Sequence, residues 1–422
     1  MPDSTQVIAP APRVAQSTPA EAAERLALKR RLPTAADVRA EAKRRLPNFA
    51  YEYCDGGAGG ADTGIARNND AFDAIELVPR YGKVVVPPPT DCELFGRRYA
   101  APIGMAPVGG PGTVYPGAET YLAKACQAAG VPYTLGLLSG ITMDEAKRLA
   151  PDVLWFQLYR FARNDHAIGF DLVKRADAAG VDVLMLTMDT PIRTTRTREV
   201  KSGIVTPFRL TTRLKVDALS SPHWMRAFMR TGVPRFVNLQ PYMNGETSIE
   251  AATAFQQREG GGAFTWEEVA RYRDKWKKPL VAKGVLHPED AEKALALGLD
   301  GIVVSNHGGR QIDALPAPID TLPAIAAAVG KRMTIIYDSG VRTGVDVARA
   351  LALGADGCLA GKAFLWSLGA LGEKGPGHMI SIFKDELSSS LGILGCPTVR
   401  DLRNVPVRHP GAWRAEELAV RA

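Results

Sequence analysis

The chain has 422 residues, 46% of them hydrophobic, and a formal net charge of +7. That length suits one large core with appendages, or two domains. No basic run is interleaved with stacking aromatics, so the charge does not indicate nucleic acid. No stretch approaches the roughly 18 apolar residues of a transmembrane helix. Five dispersed cysteines without a CxxC pair argue against a disulfide framework or a zinc site and favour a reducing compartment, and no metal is expected.

The N-terminal segment is rich in Pro, Ala and Ser and lacks the charged-then-apolar pattern of a signal peptide. We expect residues 1–32 to be a disordered extension and the protein to be soluble and cytoplasmic. Residues 33–402 are expected to form the main domain, with an insertion at about 201–264, and residues 403–422 to form a C-terminal tail.

From about residue 100 onward, short apolar segments alternate with amphipathic helix patterns. Continuous apolar runs joined by helices are typical of parallel strands buried on both faces. Eight such units at this length predict an α/β fold of the TIM (β/α)8 barrel type. A doubly wound open sheet is the alternative, but nothing resembling GxGxxG follows the first strand. The eight strand segments are APIGMAPVG, VPYTLG, VLWFQLY, VDVLMLTMD, PLVAKGV, GIVVSNH, TIIYDSGV and GCLAGKAF.

Polar side chains end five of these strands. Each one alone has an ordinary explanation, such as a loop residue that caps a turn or a solvated charge. Carboxyl ends of barrel strands converge on the mouth where active sites are built, so their coincidence predicts a catalytic site. Alternate strand residues also face the same side. The residues at these strand ends are Gln157, Tyr159, Thr187, Asp189, Lys283, Ser305, His307 and Asp338, and Gly340 lies two positions after Asp338.

Two loops after the last strands have the character of a phosphate site. They are SGVRTG at 339–344 and AGKAF at 360–364. Small residues let backbone N–H groups approach an anion, while Arg342 and Lys362 supply positive charge. We therefore predict a phosphate-bearing cofactor beneath His307 and Arg310.

The strings SNHGGRQID, VAKGV, LTMDTP, FQLY and DSGVRTG together resemble the FMN-dependent 2-hydroxy acid oxidising enzymes. That family includes glycolate oxidase, lactate oxidase, lactate monooxygenase, the flavin domain of flavocytochrome b2, and membrane-associated mandelate and lactate dehydrogenases. The resemblance runs from about Arg45 to about Leu402 and implies FMN as the cofactor. It includes RLPNFAYEYCDGGA, which is similar to the family's N-terminal lid helix with an active-site tyrosine.

For the substrate, the resemblance implies a base, a carboxylate that pairs with it, two arginines that bind the substrate carboxylate and two tyrosines that hydrogen-bond the substrate. In that order these are His307, Asp189, Arg310 with Arg196, and Tyr53 with Tyr159. Arg198 is the alternative to Arg196 if the register slips.

For the flavin, the resemblance implies that Lys283 lies near N1 and the C2 carbonyl, where it stabilises negative charge. Lys362 stands where the family usually has Arg, Gly109 replaces the alanine typical of the oxidases, and Leu138 replaces a tryptophan of glycolate oxidase. The other implied contacts are Gln157, Thr187 and Ser305 to the ring and ribityl groups, Asp338 to ribityl hydroxyls, Gly340, Arg342, Gly361 and Lys362 to phosphate, and backbone of Pro107, Val108 and Gly109 to the N5 edge.

The implied reaction is oxidation of an L-lactate-like (S)-2-hydroxy acid to the 2-oxo acid, with electrons passed to quinone or another acceptor, in a homotetramer. Two kinds of alternative stay open. In one the acceptor is oxygen, in an oxidase or a lactate 2-monooxygenase, and in the other the same chemistry acts on an aryl or a peptide-linked substrate. An FMN-barrel isomerase of the type 2 isopentenyl-diphosphate kind needs neither the SNHGGR histidine nor paired arginines. A non-catalytic flavoprotein would leave the filled catalytic positions without a use.

The insertion is basic and contains aromatic residues. Residues 201–245 carry seven Lys or Arg and one Asp, together with Trp224, Met225, Phe228, Met229 and Phe236. This composition is typical of a peripheral membrane segment, so contact with the inner face of a membrane through about 208–240 is one interpretation. The other is a solvated flap over the active site that packs its apolar residues inward.

Overall fold

In the computed structural model, which describes residues 18–82, 87–192, 194–204, 211–414 and 417, four helices and three short strands precede the barrel. The first helix covers residues that we had expected to be disordered, so that prediction is wrong for them, and residues 1–17 lie outside the described part. Capping explains the start of the second helix, since the Thr34 hydroxyl and the Asp37 carboxylate form a capping box. These elements are α1 (Pro19–Arg31), α2 (Ala35–Arg45), α3 (Asn48–Asp55), α4 (Thr63–Asp73), β1 (Glu76–Leu77), β2 (Cys92–Leu94) and β3 (Arg97–Tyr99).

Eight parallel strands close into a barrel, so the predicted TIM (β/α)8 fold is confirmed. The last strand pairs with the first, Cys358 opposite Ile103, which completes the ring. Nearly every residue in these strands is buried, because helices cover the outside and side chains fill the inside. The strands are β4 (Ile103–Met105), β5 (Tyr133–Gly136), β6 (Leu154–Leu158), β7 (Val183–Thr187), β8 (Leu280–Val285), β9 (Gly301–Val304), β10 (Thr334–Tyr337) and β11 (Gly357–Ala360).

Helices connect the strands as the alternating pattern predicted. Most start at a side-chain cap or a proline, and α12 and α15 begin with capping boxes at Thr265 and Thr343. The helices are α5 (Ala118–Ala129), α6 (Met143–Leu149), α7 (Arg163–Ala178), α8 (Thr197–Ser202), α9 (Thr212–Leu219), α10 (Pro222–Thr231), α11 (Ile249–Glu259), α12 (Trp266–Lys275), α13 (Pro288–Ala296), α14 (Pro318–Val329), α15 (Gly344–Ala352), α16 (Lys362–Leu371) and α17 (Gly375–Leu394).

The insertion after the fourth barrel strand contains α8 to α11. Its Trp224 is buried, donates from Nε1 to the Val114 carbonyl, and meets the Phe49 ring edge-on. Phe236 is buried as well, whereas Met229 on α10 is exposed. The two aromatic rings therefore face the protein, and residues 208–210 of the segment assigned to membrane contact lie outside the described residues.

The two ends of the barrel differ. The β2–β3 hairpin covers the amino ends of the strands, where Phe95 packs edge-on against Trp155 and Arg97 pairs with Asp182. A last short strand, β12 (Val407–Arg408), pairs antiparallel with β1. The carboxyl ends face the cavity described below. None of the helices in the described part of the chain has the length and apolar character needed to span a bilayer.

Candidate active site

The His307 imidazole lies at the carboxyl end of β9 and pairs with Asp189 at the end of β7. Its Nδ1 is 3.0 Å from Asp189 Oδ1. A carboxylate can only accept, so Nδ1 carries the hydrogen, and Nε2 is left with its lone pair as a base. The backbone at His307 has φ +59, and the next two glycines are also left-handed. This turn sends the chain back over the cavity directly after the histidine.

Two residues that sequence reasoning missed hold this left-handed turn. Asn306 and Asn68 are both buried and exchange amide hydrogen bonds at 2.9 and 2.7 Å. The Ser339 hydroxyl accepts from the backbone N–H groups of Asn306 and Gly308. A non-glycine residue in the left-handed region costs about 1–2 kcal/mol, and these bonds compensate for it.

Asp189 is seated between β7 and β8 by a glycine. Gly284 has φ +103, and a Cβ there would lie 2.4 Å from the Asp189 side chain. Burial raises the pKa of Asp189, but the charges of His307 and Lys283 outweigh it, and the pKa lies below its ordinary value. The carboxylate is therefore ionised, and its Oδ2 is buried without a hydrogen-bond partner among the described residues.

Lys283 lies beneath the same cavity in a buried network of charges. Its Nζ is 2.9 Å from Asp338 Oδ2 and donates to Ser305 Oγ at 2.9 Å. Burial lowers the pKa of Lys283, but the charges of Asp338 and Asp189 together raise it by more, so the pKa lies above its ordinary value. The site therefore contains a fixed ammonium at its base.

Glu199, which is not among the predicted site residues, contacts both Arg310 and Arg196. Glu199 Oε1 accepts from Arg310 Nη2 at 2.6 Å and from Arg196 Nη1 at 3.2 Å. The alternative residue, Arg198, points elsewhere, into a cluster with Asp55, Glu52 and Asp62. An acid three positions after Arg196 on a short helix was the signal that could have identified Glu199.

The two tyrosines also line the cavity. Tyr53, on α3, donates from its hydroxyl to the Gly109 carbonyl, and its ring lies 5.3 Å from the guanidinium of Arg310. Tyr159 follows β6, and burial, followed by the neighbouring Tyr53, raises the pKa of its hydroxyl. The Tyr159 phenol is therefore protonated at neutral pH and able to donate a hydrogen bond, whereas the Tyr53 hydroxyl already donates to the Gly109 carbonyl.

One cavity of about 850 Å³ connects these groups with the predicted phosphate loops. That volume lies in the range of ligand pockets. The predicted site residues that line it are Tyr53, Pro107, Val108, Gly109, Tyr159, Arg196, Lys283, His307, Arg310, Asp338, Gly340, Arg342, Gly361 and Lys362.

Three predicted flavin contacts lie just beneath the cavity. Gln157 and Thr187 are buried, and the Gln157 amide donates to the Thr187 hydroxyl at 2.6 Å. Ser305 is buried too and accepts hydrogen bonds from Lys283 and from the backbone of His307. Ser305 is thus connected to the cavity through Lys283 and His307, which line it, whereas Gln157 and Thr187 hydrogen-bond each other.

At the predicted phosphate end, the two cations are engaged with the protein. Lys362 Nζ donates to the carbonyls of Cys54, Asp55 and Gly56 at 3.3, 3.0 and 2.7 Å. Burial and the charge of Arg310 lower the pKa of Lys362 to about 7. The predicted orientation had the Lys362 ammonium facing a phosphate. In the structure Lys362 Nζ instead contacts the carbonyls at the end of α3. Arg342 donates to the Asp73 carboxylate, although its Nε, 3.7 Å from Asp346 Oδ2, is buried without a hydrogen-bond partner among the described residues.

The space between the two ends suits a flat cofactor with a phosphate tail. A Cβ built on Gly361 would have nothing closer than 3.9 Å, where Ala106 and Val108 lie, so a cradle is open there. Gly361 also precedes the first turn of α16, whose N–H groups lack partners within the helix, an arrangement that suits an anion. The ammonium of Lys283 lies at the other end. The residues present therefore fit FMN.

A closed barrel with a base, paired arginines and this cradle defines the class of barrel flavoenzymes. A family model described as FMN-dependent dehydrogenase matches residues 42–409. L-lactate dehydrogenase of Caulobacter vibrioides is 40% identical over 372 residues, covering 87% of this chain and 95% of that protein. L-lactate dehydrogenase of Pectobacterium atrosepticum is 36% identical over 367 residues, covering 87% and 94%.

Solved structures agree with the family match. The monotopic membrane protein (S)-mandelate dehydrogenase has a TM-score of 0.83 at 31% identity and covers 89% of this chain and 99% of its own. Mandelate oxidase has a TM-score of 0.75 at 31% identity, with 89% and 98% covered. The chain belongs to the FMN-dependent dehydrogenase family. It is an FMN-dependent oxidoreductase that acts on CH–OH donors, in the class of 2-hydroxy acid dehydrogenases and oxidases.

Proposed function

We propose that the protein oxidises an L-lactate-like (S)-2-hydroxy acid to the 2-oxo acid and passes the electrons to quinone or another acceptor. The observation that carries this proposal is that His307, paired with Asp189 at 3.0 Å, lines the same cavity as Arg310 and Arg196. The similarity to proteins named L-lactate dehydrogenase supports a small aliphatic acid.

Arg310 binds the substrate carboxylate in this proposal. A guanidinium has five N–H groups. Those of Arg310 reach the Tyr53 and Gly56 carbonyls and Glu199, which leaves two without a partner among the described residues. Two N–H groups are what a bidentate contact with a carboxylate requires. Arg196 adds a second cation, and the Tyr159 hydroxyl donates to a substrate oxygen. The Tyr53 hydroxyl, which donates to the Gly109 carbonyl in the structure, turns away from it to donate to a second substrate oxygen.

His307 accepts the proton that the substrate loses. Nε2 takes it as a general base, and the ionised Asp189 on Nδ1 stabilises the imidazolium that results. Bound FMN supplies an acceptor for the two electrons that leave the substrate carbon. Lys283, held at the base of the cavity, provides positive charge close to that acceptor.

The cofactor contacts follow from the family resemblance together with the residues that line the cavity. We assign the ring and ribityl contacts to Gln157, Thr187, Ser305 and Asp338, and the N5 edge to the backbone of Pro107, Val108 and Gly109. Phosphate binds at the backbone of Gly340 and Gly361 and at the first turn of α16, which does not require the Lys362 ammonium to leave the α3 carbonyls.

A second candidate is the same chemistry on an aryl acid. Leu138, Phe236 and Ile192 also line the cavity and offer apolar surface beyond the two arginines. Structural similarity to mandelate dehydrogenase and mandelate oxidase favours this candidate. Oxygen as the acceptor, in an oxidase or monooxygenase, is the alternative for the second half of the reaction.

We propose in addition that the insertion contacts the inner face of a membrane. Val216, Leu219 and Met229 on α9 and α10 are 63%, 67% and 74% exposed. Basic residues Arg213 and Arg226 lie on the same helices. A homotetramer is the assembly that the family resemblance favours, and light scattering on the purified protein measures it.

Anaerobic mixing of the FMN-loaded protein with L-lactate, L-mandelate and glycolate tests the function. We expect the flavin absorption band to bleach with L-lactate, and the acid that bleaches it fastest identifies the substrate class. Slow recovery of colour in air, accelerated by a quinone, indicates a dehydrogenase, whereas fast recovery in air indicates an oxidase. If FMN is bound and none of the three acids bleaches it, the assignment to small 2-hydroxy acids is wrong.

A further inference from the structure

Glu199 lies between the two arginines that face the cavity. One oxygen, Oε1, contacts both guanidiniums, at 2.6 Å for Arg310 and 3.2 Å for Arg196. The Glu199 side chain is only 5% exposed, and those of Arg196 and Arg310 are 17% and 16% exposed. All three charges are therefore largely removed from water.

Two guanidiniums that contact the same oxygen and are largely removed from water repel each other and need an anion between them. Burial, together with the charge of Arg196, lowers the pKa of Arg310 below its ordinary value. Unpaired buried charges are costly, and a shared carboxylate offsets the repulsion between the guanidiniums. Among the described residues, Glu199 is the carboxylate that contacts both of them.

We propose that Glu199 is the positioning residue that holds Arg196 beside Arg310 and so sets the affinity for the substrate carboxylate, an inference that rests on the proposed function. Arg310 is fixed independently through the Tyr53 and Gly56 carbonyls, at 2.9 and 2.8 Å. Arg196 has no comparable anchor among the described residues. Its other hydrogen bond, to the Arg310 carbonyl, is 3.3 Å long. Loss of the Glu199 charge therefore releases Arg196 first.

The opposite role for Glu199 would be competition with the substrate for the arginines. The donor count argues against it, because Arg310 retains two N–H groups and Arg196 retains three with Glu199 in place. A carboxylate can bind without displacing Glu199. The two roles predict opposite changes in affinity when the charge is removed.

The experiment compares wild type with Glu199→Gln and Glu199→Asp, each loaded with FMN. Steady-state turnover of the acid that bleaches the flavin gives KM and kcat. Titration with oxalate, followed by the change in the flavin spectrum, gives the Kd of a carboxylate that is not turned over. We expect Glu199→Gln to raise both KM and the oxalate Kd about tenfold, with kcat changed by less than about twofold, because uniform binding is lost.

Glu199→Asp is expected to recover part of the affinity, since it keeps the charge on a shorter side chain. If Glu199→Gln does not fold, the same titration on Glu199→Asp decides, with an oxalate Kd expected above that of wild type. The matched control is Glu41→Gln, because Glu41 also bridges two arginines, Arg44 and Arg45, but on α2 and away from the cavity lining. It should leave KM, kcat and the oxalate Kd unchanged.

Unchanged or tighter oxalate binding in Glu199→Gln, with wild type active, overturns this inference alone. A fall in kcat at constant KM also overturns it, because that result places Glu199 in the chemical step. If wild type is neither bleached by an acid nor binds oxalate, the proposed function fails, and this inference fails with it.

Discussion

Charges of alternating sign follow one another beneath the mouth of the barrel. Asp338 contacts Lys283, Lys283 lies within the field of Asp189, and Asp189 pairs with His307. Lys283 and Asp338 are buried, Asp189 and His307 are partly buried, and any of these charges would be costly to hold there alone. Burial opposes both charges in the middle of the row, but Asp338 and Asp189 raise the pKa of Lys283 above its ordinary value, and His307 and Lys283 lower that of Asp189 below its ordinary value. His307 stands at one end of this row and has its most exposed side chain, at 18%, which makes it the member most accessible from the cavity.

His307→Gln is expected to slow anaerobic flavin reduction by at least about 10²-fold, because an amide cannot accept the proton at Nε2. FMN content should not change, since Lys283 and Asp338 keep their contacts. Stopped-flow absorbance with the preferred acid measures the rate. His287→Gln, the same change at the cap of α13 outside the cavity lining, serves as the control. Reduction by His307→Gln at the wild-type rate would show that another group is the base.

At the scale of elements, the short helix α3 is held over the cavity by its carboxyl end. Arg310 and Lys362 together donate five hydrogen bonds to the carbonyls of residues 53–56. The last carbonyls of a helix lack internal partners and carry partial negative charge, so buried cations suit them. The lid tyrosine, Tyr53, therefore has a fixed position relative to Arg310 without belonging to the barrel.

Glu268, at the start of α12, joins three separate elements through its carboxylate. Its carboxylate accepts from Arg160 after β6 at 2.8 and 2.7 Å and lies 2.9 Å from His166 Nε2 on α7. The hydrogen bond from Arg160 lowers the pKa of Glu268 to about 2. Its contribution to stability is therefore complete above the ordinary value of 4.5 and is lost as the pH falls toward about 2.

Glu268→Gln is expected to be less stable than wild type at neutral pH, by an amount on the order of 2–3 kcal/mol. The difference should shrink as the pH falls below about 4.5, because wild type loses the charge that the variant never had. Urea unfolding of both proteins between pH 7 and the lowest pH at which they stay folded measures it. Glu292→Gln, at an exposed position on α13, is the control. A difference that stays constant with pH would contradict this role of Glu268.

The composition of the insertion is compatible both with membrane contact and with a flap over the active site. Trp224 and Phe236 are buried, as the flap interpretation requires, while Val216, Leu219 and Met229 are exposed, as membrane contact requires. The apolar residues of one segment therefore divide between the protein and the surface. Helical periodicity decides which side each residue faces.

Substituting Val216, Leu219 and Met229 together by Ser is expected to abolish co-sedimentation with vesicles that contain anionic lipid. The apolar area that would enter the headgroup region is lost, whereas the basic residues stay. Turnover of a soluble acceptor should be unchanged. Ile393→Ser, a 62% exposed apolar residue on α17, is the control. Equal partitioning of the variant and wild type would favour a flap that does not bind membrane.

At the scale of the molecule, barrel closure brings residues that are far apart in the chain into one cradle. The hydrogen-bonded pairing of β11 with β4 places Gly361 beside Ala106 and Val108. Gly361 has φ −103, which any residue adopts, so its lack of a side chain is needed for space rather than for backbone freedom.

Gly361→Val is expected to fold and to lose FMN, because its side chain would fill the cradle without straining the backbone. Wild type should gain about 2.7 kcal/mol of stability at an FMN concentration 100 times its Kd, and the variant should gain nothing. Flavin absorbance per protein and thermal unfolding with and without FMN measure both effects. Gly377→Val, on the exposed side of α17, is the control. Full FMN content in Gly361→Val would exclude this cradle as the phosphate end of the site.

Motif and periodicity predicted much of this architecture. The eight strands, the helices between them and the grouping of His307, Asp189, Lys283 and Arg310 at one end follow from local patterns. The geometry places Arg196, rather than Arg198, beside Arg310. The helix over residues 19–31 was missed, because a composition rich in Ala and charged residues does not reveal whether a helix finds a surface to pack on. The domain boundaries at 32 and 402 and the roles of the site residues stay predictions.

Local patterns in the sequence were enough to predict the barrel and the residue types at the carboxyl ends of its strands. Strand alternation and the end of each strand are local properties of the chain. Tertiary structure alone decided three things. It decided which way long cationic side chains turn, since Lys362 faces the carbonyls of α3. It decided that Glu199 on α8 joins two arginines, one of them 111 residues away. It decided that Gly284 makes room for Asp189. These outcomes depend on distances between elements that close the barrel, and no local pattern records those distances.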